Sequence, residues 1–272
     1  MLRKFLLAAV VAIVMNVIPA QAHGPISSPG PETLYKGGME THVEYHRSKK
    51  GDEIENEFAL GVGYGITEDW LVSAELSYAR IKEDGGNSEG ISNISLETKY
   101  RLWRRDALGK QDSVSGFAKI ILDTAKDTSN PELSSGANDL VLGLAYGQES
   151  LIWQRWASAR YRINGDNDAG GERGNQIFAD AAIGWRSEIP QYYKSDVLWM
   201  MELNAEYTEH SEQKGISLAD MGGTEIFLAP GMIWAYRNIA LKSGVQLPVY
   251  SNLNSAQSES DYRVRFALDM NF

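Results

Sequence analysis

The chain has 272 residues, 43% of them hydrophobic, with a formal charge of −10, 26 glycines and no cysteine. That composition excludes a disordered, collagen-like or disulfide-stapled protein. The excess of acids also argues against a nucleic-acid partner, because neutralising phosphates takes a surplus of Lys and Arg.

At the start, Arg3 and Lys4 precede an apolar run that ends at Ile18 and is closed by Ala20-Gln21-Ala22. This reads as a secretory signal peptide, residues 1–22. The run falls short of the roughly 20 apolar residues that span a bilayer. Residues 23–36, with Gly24-Pro25 and Pro31-Glu32, read as a periplasmic N-terminal segment. Its first residue, His23, would pair an α-amine with an imidazole, a chelating feature shared by any exported chain cleaved before His. An exported chain without cysteine draws its stability from packing or from a closed hydrogen-bonded sheet.

From residue 37 to 272 the dominant period is two, the signature of strands. Met39, Thr41, Val43 and Tyr45 open it, followed by Phe58, Leu60, Val62 and Tyr64, then by Trp70 through Tyr78 at every second position. Similar runs end at Leu102, Leu122, Tyr146, Ile163, Trp185, Tyr207, Tyr236, Val249 and Phe272, which gives twelve strands. The alternate positions mix small residues with charges of both signs: Glu97, Lys99 and Arg101; Arg160 and Arg162; Glu202 and Glu206; Arg263 and Arg265. An apolar face opposite a small and charged one is the lipid-out, lumen-in pattern of an all-β, antiparallel transmembrane β-barrel. In lipid only closure satisfies every backbone group of a sheet. Those nine charged residues are therefore assigned to the pore lining.

Trp70 and Tyr78, Trp153 and Tyr161, and Trp199 and Tyr207 lie eight residues apart on the apolar face. That is roughly 26 Å of strand, close to the apolar band between the two aromatic girdles of such barrels. Short connections (67–69, 148–150, 237–238) alternate with long polar ones (82–90, 126–138, 164–175, 210–223, 251–261), as expected of periplasmic turns and outer loops. The connections 104–112 and 187–196 are longer than a periplasmic turn needs. Phe272 closes an amphipathic strand at the C-terminus, like the terminal aromatic by which the barrel assembly machinery recognises its clients. Pro230 and Pro248 lack a ladder donor and predict bulges or strand ends.

The segments Gly222-Gly223-Thr224-Glu225, Ala229-Pro230-Gly231 and Gly244-Val245-Gln246-Leu247-Pro248-Val249-Tyr250, with the closing strand to Phe272, resemble the family named for the meta-pathway of phenol degradation. The likeness extends in layout over most of the mature chain and in motif over about the last fifty residues. It implies an outer-membrane transporter without fixing a solute.

Chemistry is sparse. A hydrolase would need a Ser, a His and an orienting acid or amide within hydrogen-bond reach, yet the four histidines are His23, His42, His46 and His210, and the neighbours His210 and Ser211 would point to opposite sides of any strand. His42, Glu44 and His46 share a lumen face roughly 6.6 Å apart and read as polar lining. The loop 165–172 clusters oxygen ligands and glycines without the full calcium-loop pattern; it reads as a solvated turn, or through a divalent ion as a contact to lipopolysaccharide. No catalytic residue, metal or cofactor is assigned. The expected function is passive passage of small molecules across the bacterial outer membrane, with outer-membrane lipid, lipopolysaccharide and a small-molecule solute as partners. A closed structural or adhesive barrel and an outer-membrane hydrolase are the alternatives.

Overall fold

A strand with one apolar face and one small or charged face is stable in a bilayer only when a closed ring of neighbours completes its hydrogen bonds. The computed structural model describes residues 24–125, 130–167, 171–191, 193–213, 216–218, 221–255 and 257–272. In it twelve strands close such a ring: β1 (Met39–Lys50), β2 (Glu53–Gly65), β3 (Trp70–Glu83), β4 (Gly86–Ala107), β5 (Lys110–Asp123), β6 (Asp139–Ser150), β7 (Trp153–Ile163), β8 (Gln176–Arg186), β9 (Asp196–Thr208), β10 (Gly223–Tyr236), β11 (Ile239–Leu253) and β12 (Ser260–Asn271). Each pairs antiparallel with the next, and β12 returns to β1 from Glu40↔Asn271 to Lys50↔Ser260. The proposed signal peptide and His23 lie outside the described residues, as do three positions of the 165–172 loop.

The period-two pattern decides which face meets lipid. Phe58, Leu60, Val62 and Tyr64 are 46–55% exposed, whereas Ala59 between them is 8% exposed. Register sets the aromatics in lateral rows, with Trp153, Trp185 and Trp199 side by side near the rim that holds the termini. Tyr161, Ile177 and Tyr207 form the matching row toward the other rim. These rows place the aromatic girdles at the two interfaces of a bacterial outer membrane, with the long loops outside.

Two expected loops are shorter than their polar sequences suggest. β3 and β4 stay paired up to Glu83↔Gly86, which leaves residues 84–85 as the turn of the 82–90 connection. β4 and β5 likewise stay paired to Ala107↔Lys110, and Gly109 takes the positive φ (69°) that the turn needs. A ladder can outlast the apolar band because its hydrogen bonds do not depend on the polarity of the side chains. Within the long connections, the short strands Gly171–Glu172, Ser211–Gln213 and Ile216–Leu218 form a separate small sheet.

Pro248 and Pro230 mark the irregular part of the wall. The register slips between Ile226 and Phe227, whose partners are Tyr250 and Pro248, so Val249 is an extra residue. From Leu228↔Leu247 the pairing resumes only at Gly231↔Gly244, leaving Ala229 and Pro230 without a partner on β11. A groove of about 400 Å³ lies at this break, lined by Trp199, Pro230, Gly231, Ser243, Gly244 and Phe266.

Candidate functional site

Residues 24–34 carry no strand, and the barrel wall supplies their hydrogen bonds from inside the lumen. β9 presents Glu202, 1% exposed, to the first turn of this segment. Its carboxylate accepts from the Ile26 N–H at 2.6 Å, the Ser27 N–H at 3.1 Å and the Ser28 hydroxyl at 3.3 Å. A carboxylate out of water is tolerable only when donors replace its hydration, and here the donors belong to a chain segment that has no strand partner to accept from them.

Further along, Arg265 of β12 donates to the Ile26 carbonyl at 2.9 Å and Lys99 of β4 to the Gly30 carbonyl at 3.1 Å. The Ser115 hydroxyl donates to the Pro31 carbonyl, the Trp156 indole N–H donates to Glu32 at 2.9 Å, and Arg101 bonds the Thr33 hydroxyl. Ile26 is 5% exposed in a cluster of inward-facing Trp156, Ala182, Leu198, Met200, Ile233 and Ala240. Gly231 is required beside it, since a Cβ there would sit 2.7 Å from the Ser243 carbonyl oxygen as well as 2.5 Å from the Ile26 Cδ1. A cavity of about 200 Å³, lined by Glu32, Glu40, Lys99, Lys242 and Asp269 among others, remains between the segment and the wall.

The remaining assigned lining charges pair within the wall. Arg160 of β7 pairs with Asp180 at 3.0 Å and lies over the Phe178 ring. Arg162 pairs with Asp139, which also receives Arg173 from the loop between β7 and β8 at 2.8 Å. Arg263 of β12 makes a two-pronged bond to Glu206 of β9 at 2.6 and 3.0 Å, reaching across the lumen past two intervening strands. Glu97 lies 3.8 Å from Lys99. Of the nine residues assigned to the lining, Lys99, Arg101, Glu202 and Arg265 thus hold the N-terminal segment, while Arg160, Arg162, Glu206 and Arg263 brace the wall.

Ile26, Trp156, Leu198, Met200 and Ile233 are the part of this site that charge-based reading passes over. The signal present in the sequence is an inward Trp between Gln154 and Ser158 and an inward Leu198 and Met200 ahead of Glu202. His42 and Glu44 take separate partners: His42 meets Glu75 at 2.9 Å, and Glu44 meets Arg265 at 3.0 Å. His210 faces the Met221 carbonyl at 3.0 Å while Ser211 accepts from the Gly174 N–H. Among the described residues no group of three His, Asp or Glu is placed to hold a metal ion.

Among solved structures, an outer membrane channel from Pseudomonas putida F1 superposes with a TM-score of 0.76 at 13% identity, covering 91% of this chain and all of that one. The NanC porin gives 0.52 at 12% identity, over 85% of this chain and 98% of its own. The β domain of the Bordetella autotransporter BrkA gives 0.51 at 11% identity, over 87% of this chain and all of that one. At these identities the likeness is one of fold, and no curated protein matches the sequence. Residues 63–252 match the family described as "Putative MetA-pathway of phenol degradation", and with most of its length inside that match the chain belongs to this family.

Proposed function

We propose that the protein is an outer-membrane channel for passive passage of small molecules, and that residues 24–34 are its stopper. The observation that carries this reading is the way the segment is seated. It lies in the lumen as a ligand lies in a site, held by hydrogen bonds to Glu202, Arg265, Lys99 and Trp156 and by one apolar anchor, Ile26. None of these contacts belongs to the ladder that closes the barrel, so the segment can leave without opening the wall. Twelve strands fall between barrels filled by side chains and those with a wide channel, which suits a narrow, closable path.

The apolar patch around Ile26 favours a solute with an apolar or aromatic part over a purely hydrophilic one. No chemical step is assigned to the lumen, and its nine charged lining residues are read as setting selectivity. Residues 1–22 are read as the export leader. The terminal Phe272 is read as the assembly signal; Phe272→Ala is expected to lower the yield of heat-modifiable barrel in the outer membrane without changing the refolded protein.

Proteoliposomes holding the mature protein test the reading. Uptake of a small aromatic solute, faster in a chain lacking residues 24–33 than in the wild type, is the expected result. Folded barrels that admit neither an aromatic nor a small sugar, with or without the segment, would contradict it and favour a closed structural barrel.

A further inference from the structure

The outward face of β1 to β3 changes character beyond the aromatic girdle on the long-loop side. Register places Tyr45, Phe58 and Tyr78 side by side. Two residues further out along the strands comes the row Arg47, Asn56 and Arg80. Two further still comes the row Lys49, Ile54 and Lys82. Neighbouring strands lie about 4.8 Å apart and second neighbours along a strand roughly 6.6 Å apart. The four cations therefore stand at the corners of a patch roughly 10 Å by 7 Å, directly above an aromatic row.

At the outer ends of β6 and β7 the outward positions one step beyond the girdle row are Leu140 and Ile163, neither of them charged. The cations are only partly matched by protein acids. Lys49 lies 3.1 Å from Asp261, and Arg80 lies 3.7 Å from Glu89 with both side chains more than half exposed, a pair worth little in water. Arg47 donates to the Tyr262 hydroxyl at 3.2 Å and the Asn56 side-chain oxygen at 3.0 Å, which points its guanidinium along the wall. Lys82 is exposed and makes no ion pair among the described residues. Of the four cations, Lys49 and Arg80 thus have an acid within 4 Å, while Arg47 and Lys82 make no ion pair among the described residues, in a chain of formal charge −10.

Such a cluster of outward cations beside a lipid-facing aromatic row fits an anionic head group at the interface. Two rows of paired cations fit two phosphates better than one, and Arg in particular offers a fork for phosphate oxygens. We infer that Arg47, Lys49, Arg80 and Lys82 form a binding site for a diphosphorylated glycolipid of the outer leaflet, with Tyr45, Phe58 and Tyr78 against its acyl and sugar boundary. The site lies on the outside of the wall and is independent of whether the lumen conducts.

The test is titration of the purified, detergent-solubilised barrel with diphosphoryl lipid A, monophosphoryl lipid A and phosphatidylglycerol, read by native mass spectrometry. The wild type should prefer the diphosphorylated lipid. Arg80→Gln/Lys82→Gln should weaken its binding about 25-fold, from about fivefold for each cation removed near a charged surface. Arg155→Gln, an exposed outward cation near the opposite rim, should leave it unchanged. If the double variant does not give a heat-modifiable barrel, Lys82→Gln alone should still show the fivefold loss. Wild-type affinity in the folded variants would overturn the site. Equal binding of phosphatidylglycerol and diphosphoryl lipid A by the wild type would overturn the glycolipid and leave a general anionic-lipid surface.

Discussion

The two halves of the lumen are built on the same strands and solve different problems. Toward the termini, β7 to β10 turn Trp156, Leu198, Met200 and Ile233 inward and set a single buried carboxylate, Glu202, among them. Toward the outer loops the same strands carry Arg160, Arg162, Asp180 and Glu206, each bonded to another wall or loop residue. The outer charges of these strands pair with one another or with a neighbouring wall or loop residue, whereas Glu202 in the inner half finds its hydrogen-bond donors in residues 24–34. A polar lumen in a barrel wall is therefore not one environment, and the part that lacks internal partners is the part that receives a guest.

Perturbing the guest should open the path, and perturbing the braces should only loosen the wall. Glu202→Ala is expected to have the largest effect of a single change. It orphans the Ile26 and Ser27 N–H groups and the Ser28 hydroxyl, at a cost of about 3 kcal/mol or roughly a hundredfold rise in undocked segment. Limited proteolysis near residue 30, compared between the folded wild type and the variant, reads this directly. Ile26→Ala removes the apolar anchor and should cost about 2 kcal/mol, roughly thirtyfold in the same assay.

Arg263→Gln breaks the bridge to Glu206 across the outer half. It is expected to cost about 1 kcal/mol and to lower Tm by roughly 3 °C, with the segment as protected as in the wild type. Were Arg263→Gln to expose the segment as much as Glu202→Ala does, the distinction between the two halves would fail. Lys99→Gln, which loses a single bond to the Gly30 carbonyl, should expose the segment least of the segment-side changes.

Much of the wall was legible in the sequence. The alternation through Phe58 to Tyr64, the spacing of Trp153 and Tyr161, and the inward charges of β7, β9 and β12 follow from the period of a strand and the polarity of its two surroundings. The ends of β3 and β4 were not, because polar residues such as Glu83 and Asn87 suit a loop as well as a strand that has left the membrane. The seat of residues 24–34 was also hidden. A Gly-Pro segment has no period to reveal what it touches, and the cluster that holds Ile26 with Ile233 joins positions far apart in the chain. An inward Trp156, out of place among small and charged neighbours, is the residue from which an apolar guest could have been read.

Single-channel conductance of the refolded protein in planar bilayers, wild type beside a chain lacking residues 24–33, tests the central claim most directly. The account predicts a wild type that is closed apart from brief, small openings and a shortened chain that conducts steadily. A shortened chain that folds yet stays silent, or a wild type that already conducts equally well, would contradict it.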